Sequence, residues 1–149
     1  MTLTELMEKS RVMVVTESIE EMSRARLKHY AMGGPEITKQ KMETLYDLVY
    51  QSVKAKNLIP IVSYIEKIAE QRFESGFELQ EVQTAINVLE ESIWRRILEE
   101  IPKDEQPKAL TLVSSIIGSG KDTLARTWVT LTKTDTDVQN PKSGEQDKG

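Results

Sequence analysis

The most constraining feature is the spacing of apolar residues between Glu78 and Glu100. Leu79, Val82, Ile86, Leu89, Ile93 and Ile97 follow one another in steps of three and four. Such steps keep one narrow stripe on one side of an α-helix. Four other segments repeat this period, and no segment of the chain alternates strictly between apolar and polar residues as a half-buried strand would. The fold class expected is therefore all-α.

The first of those segments runs from about Thr2 to Tyr30, with Leu3, Leu6, Met7, Val15, Ile19 and Met22 on one stripe. It is expected to stop at Met32-Gly33-Gly34-Pro35, because glycine adopts positive φ and proline cannot continue a helix. A second runs from about Thr38 to Lys56, and a third from about Pro60 to Glu74, with Asn57 and Pro60 as start signals and Gly76 as a stop. The helix over 78–100 ends at Pro102. A last one begins between Asp104 and Pro107 and carries Leu110, Val113, Ile117, Leu124, Trp128 and Leu131. Gly118 and Gly120 interrupt it, each at a cost of about 1 kcal/mol relative to alanine, and imply a kink or a close helix contact. From residue 133 to residue 149 apolar groups almost vanish, which predicts a disordered polar tail behind a single domain over 1–132.

At 149 residues the chain has the usual size of one domain. It contains no cysteine, which removes disulfides, thiolate metal sites and a cysteine nucleophile together. Its net charge of −4 argues against a nucleic-acid partner, since phosphate binding needs a clustered positive field. The longest uncharged stretch, from Ala109 to Gly120, is far shorter than the roughly 20 apolar residues that span a bilayer. With no basic-then-apolar leader at the N-terminus, a cytoplasmic location without membrane contact is the expectation.

No catalytic constellation is legible. The run Gly118-Ser119-Gly120-Lys121-Asp122 resembles a phosphate loop but has Ser115 where the first glycine belongs and Asp122 where a hydroxyl should bind magnesium, and its flank is helical. His29 is the sole histidine, so a metal cluster built on histidines is excluded. Placed near the end of the first helix, His29 reads as a cation on the helix dipole rather than a haem ligand. The adjacent carboxylates Glu20 and Glu21, Glu90 and Glu91, and Glu99 and Glu100 read as solvated faces, because neighbours in a helix do not face one another. Trp94 reads as partly buried core with an arginine, Arg95 or Arg96, stacked nearby. The sites expected are thus no catalytic residue, no metal ligand and no assigned cofactor contact.

The run from Gly76 to Leu89, Gly-Phe-Glu-Leu-Gln-Glu-Val-Gln-Thr-Ala-Ile-Asn-Val-Leu, followed by Trp94, resembles the N-terminal sensor domains of the RsbR-type co-antagonist proteins of bacterial stressosomes. The break after Tyr30 and the helix pair from Leu45 to Phe73 fit the same order, so the resemblance extends from about Leu3 to Leu131. It implies a globin-like bundle of about five or more helices without haem or other cofactor, a homodimer, and no enzymatic activity. No STAS domain follows in this sequence, a departure from the family that fits either a stand-alone member or a longer protein. The function expected is a non-enzymatic sensory or regulatory domain of bacterial stress or signal transduction, acting through dimerisation and contacts with a regulatory protein. The alternative is a globin-like domain that binds a small ligand, lipid-like or haem. Leu6 and Met7 are the first guess for apolar residues at the dimer contact.

Overall fold

A computed structural model describes residues 1–139 of the chain. It contains six helices and, among the described residues, no strand: α1 (Leu3–Ala25), α2 (Lys28–Gly33), α3 (Pro35–Ala55), α4 (Ile59–Glu74), α5 (Leu79–Glu100) and α6 (Gln106–Gln139). The all-α expectation holds. Local chemistry accounts for most of the ends. Thr2 caps α1 by accepting the Glu5 N–H at 3.1 Å. Asn57 Oδ1 accepts the Ile59 N–H at 3.0 Å ahead of Pro60. Gly76, at φ +85°, closes α4 with a Phe77 N–H that returns to the Arg72 carbonyl at 3.0 Å.

Three expectations about the elements need correction. The first helix does not run to Tyr30. It ends at Ala25, where Arg26 takes the left-handed conformation (φ 53°, ψ 53°), and a separate short helix, α2, follows. Pro35, expected only as a stop, is the first residue of α3, because its missing N–H costs nothing in a first helical turn. Helix α6 is assigned as far as Gln139, so the tail begins later than the expected residue 133. Within the helix Thr130 and Thr134 each donate to the carbonyl four residues earlier, at 3.1 Å. The remainder of the expected tail, 140–149, lies outside the described residues.

The long helices close a ring in the order α1, α5, α6, α4, α3 and back to α1, while α2 lies against α3 and α5. Their inward stripes form one core that includes Leu6, Met42, Tyr46, Ile61, Ile65, Leu89, Ile97 and Leu124, each no more than about 5% exposed. Leu6 and Met7 are each 1% exposed, so they are core residues and not the surface expected at a dimer contact. Polar groups stitch the seams. Tyr46 donates its hydroxyl to the Met7 carbonyl at 2.5 Å. Arg11 grips Asp47 with two hydrogen bonds, at 2.8 and 2.9 Å, joining α1 to α3.

The two glycines of α6 separate into different roles. Helix α6 runs through both without interruption. Around Gly118 there is open space, whereas a Cβ on Gly120 would stand 3.3 Å from Ile61 Cγ1 and 3.4 Å from Ile65 Cγ1. Gly120 is therefore a point where α4 packs closely on α6 through a missing side chain, which realises the close-contact half of the expectation.

Candidate functional site

The passage from α1 through α2 to α3 opens a concavity in the bundle. A chain that leaves α1 at a left-handed Arg26 and re-enters a helix through Gly34 (φ 88°, ψ 162°) doubles back on itself. That path holds α2 off the end of α1. The space left between α1, α2 and α3 is a cavity of about 450 Å³, within the range of about 300–1,000 Å³ usual for small-molecule sites. Ile19, Met22, Leu27, Tyr30 and Pro35 give it apolar walls. Ser23, Arg26 and Thr38 are its polar members, and Thr38 already donates its hydroxyl to the Tyr30 carbonyl at 3.1 Å. Arg26 is exposed.

Tyr30 also belongs to a polar and aromatic cluster on its other side. Glu81, 6% exposed in the first turn of α5, accepts the backbone N–H of Glu78 at 3.0 Å and that of His29 at 2.8 Å. Its second contact with His29, through Nδ1, measures 2.6 Å. Burial alone would raise the Glu81 pKa, but the hydrogen bonds from Glu78 and His29 outweigh it and hold the carboxyl below its ordinary value. The His29 ring lies 5.2 Å from that of Phe77, and Phe77 meets Tyr30 edge-on at 4.9 Å. Arg72 of α4 and Lys41 of α3 lie over these rings.

The residues weighed from sequence are scattered by the fold. The glycine–lysine run lies in mid-helix, where Lys121 pairs with Glu90 at 2.6 Å and Asp122 with Arg126 at 3.2 Å. No phosphate loop exists there. Glu90 is thus no solvated face: it is 6% exposed and reaches from α5 to α6. His29 is not the dipole cation of a long helix, because α1 has ended before it; its position is set by Glu81, fifty-two residues away. Trp94 is half-buried, but Arg95 turns to Glu17 instead of stacking on the indole, and Arg96 shares that carboxylate at 3.7 Å. Among the described residues no group of three or more acidic or histidine side chains converges as a metal site, and no helix is long and apolar enough to cross a membrane.

Sequence reasoning passed over Arg72, Lys41 and Glu81. One signal was present for Arg72. It continues the inward stripe Ile61, Ile65, Ile68 by a further step of four, so a charge stands where the period demands an apolar group. For Glu81 the signal was the Glu78-x-x-Glu81 spacing at a helix start, which puts a carboxylate back over the free N–H groups.

Comparison with protein-family models, curated proteins and solved structures finds no match to this chain.

Proposed function

We propose that this chain is a non-enzymatic regulatory domain that responds to a small lipid-like molecule bound between α1, α2 and α3. The observation that carries this reading is the apolar-walled cavity of about 450 Å³. Helix α2 forms one wall, is only six residues long, and is flanked by two positive-φ residues, Arg26 and Gly34. It is also bonded to the start of α5 through His29 and Glu81. A guest that displaces α2 therefore pulls directly on one of the longest helices of the bundle, which is the kind of coupling a sensor needs. His29 stands outside the lining of the cavity and its Nδ1 is engaged by Glu81, which favours a lipid-like guest over haem.

The regulatory assignment in bacterial signal transduction, the globin-like character of the bundle, the cytoplasmic setting and the homodimer all rest on the resemblance of residues 76–94 to the stressosome sensor domains. They belong to the same proposal.

The ligand reading is tested with N-phenyl-1-naphthylamine, a neutral apolar dye. Its fluorescence is expected to rise and saturate at one dye per chain, and an Ala31→Trp variant, which places an indole in the cavity, is expected to lose most of that rise. An equal rise in the variant would sink the reading. The dimer is tested by sedimentation velocity over a wide concentration range. A reversible monomer–dimer shift is expected, and a concentration-independent monomer would remove the dimer from the proposal. The surface to examine is no longer Leu6 and Met7. Large apolar side chains left in water, such as Val12 (75% exposed) and Met13 (53% exposed), mark where charge substitutions should begin.

A further inference from the structure

Arg72 presents an unusual physical problem. Its residue is 7% exposed, its Nε is shut off from solvent without a hydrogen-bond partner, and among the described residues it forms an ion pair with no carboxylate. A guanidinium does not discard its proton at any physiological pH, so burial cannot be relieved by neutralisation. Removing such a charge from water costs several kcal/mol unless something of opposite sign or suitable polarity stands beside it.

The surroundings supply only part of the compensation. The Phe77 ring lies 5.7 Å below the guanidinium, and the hydroxyls of Tyr30 and Tyr64 interact with it. A second cation makes matters worse. Lys41 of α3 sits half-buried in the same cluster, its Nζ 4.8 Å from the centre of Phe77 and 5.4 Å from that of Tyr30. Burial and then the Arg72 charge push the Lys41 pKa down. Lys41 also forms an ion pair with no carboxylate among the described residues. The one acidic group close at hand, Glu81, is already taken up by Glu78 and His29.

Both cations line a small cavity between α3, α4 and α5, of about 10 Å³, which is room for roughly one water-sized particle. Tyr30 and Tyr64 are among its lining residues, and Met42, Ile68 and Val82 contribute apolar walls. Of its lining residues only Lys41 and Tyr64 are half-buried; the rest are buried. Two cationic groups and no free acceptor charge make a chamber that is selective by sign. Its small volume restricts an occupant to about the size of a water molecule or a small monatomic ion.

We propose that Arg72 and Lys41 hold a small inorganic anion of halide size in this chamber, as a structural counter-ion that joins α3 to α4. It is a site separate from the lipid-like cavity, and Tyr30 is the wall between them.

The test is urea unfolding at constant ionic strength with sodium chloride exchanged for sodium isethionate. Chloride is expected to stabilise the protein, and at ten times its Kd the folded-to-unfolded ratio rises about elevenfold. Arg72→Met is expected to lose the chloride dependence and Lys41→Met to weaken it. Independently of the stability of Arg72→Met, broadening of the chloride-35 resonance by the folded protein is compared with that by Lys41→Met, a half-buried position; the wild type broadens it and the variant does so much less. Unfolding that is indifferent to the exchange of anions, or equal broadening by both proteins, would overturn the proposal and assign the chamber to a water molecule.

Discussion

Glu81→Ala is expected to destabilise the protein by about 2–3 kcal/mol, because removing a buried acceptor leaves its hydrogen-bond donors unsatisfied. Glu81 has almost no contact with solvent and serves as acceptor for two backbone N–H groups and an imidazole at once. Truncation strips acceptors from the first turn of α5 and from the start of α2 together. The measurement is the urea midpoint of the variant against that of the wild type, and an unchanged midpoint would show that water replaces the carboxylate at no cost. Glu81→Gln is expected to fall between the two, since it keeps one acceptor oxygen and loses the charge.

The same residue sets a pH dependence whose sign follows from its shift. The folded-state pKa of Glu81 lies below the unfolded value, so the folded protein holds the carboxylate more tightly than the unfolded chain does. Its contribution to stability is complete above the unfolded value and is lost as the pH falls through the folded one. Stability of the wild type should therefore drop through the acid range more steeply than that of Glu81→Gln. Parallel curves would mean that Glu81 is not the group responsible.

The second large effect is a contrast between two glycines in one helix. Gly120→Leu is expected to cost about 3 kcal/mol or more, as overpacking does when no rotamer fits. Its Cβ alone meets Ile61 and Ile65 at 3.3 and 3.4 Å, and those side chains are themselves walled in by the core. Gly118→Ala, two residues earlier, meets nothing within 4 Å and should stabilise by up to about 1 kcal/mol through helix propensity alone. Opposite signs in denaturant midpoints are the expected result. Equal and small effects would mean that α4 and α6 are held apart by more than Gly120.

The dependence on neighbours in the chain explains what was legible. Asn57 and Pro60 mark the start of α4, Gly76 its end and Pro102 the end of α5 because each acts on backbone groups within a few residues of itself. The missed break near Arg26 and the later start of the tail have the same origin in reverse. A left-handed arginine carries no sequence mark, since the conformation is disfavoured for any side chain and is adopted only when packing repays it. Polar composition put the start of the tail at residue 133, but α6, anchored upstream by Leu124 and Trp128, carries the chain past that point.

For Arg72 the stripe Ile61-Ile65-Ile68 showed that the side chain points inward, but nothing local indicates what it meets there. Lys41, Phe77 and Tyr30 come from three other segments, and only the packing of α2, α3 and α4 brings them to the same ring faces.

By itself, then, the sequence determined the helical class, the inward face of each long helix and most of the stops, because a period of 3.6 residues and a cap are properties of adjacent residues. Only the tertiary structure decided the separate α2, the cavity beneath it, the bond between His29 and Glu81, and the gathering of Arg72 and Lys41 at the Phe77 ring. These depend on how amphipathic stripes cross in space, and a stripe specifies which face is buried without specifying the partner or the angle at which it is met.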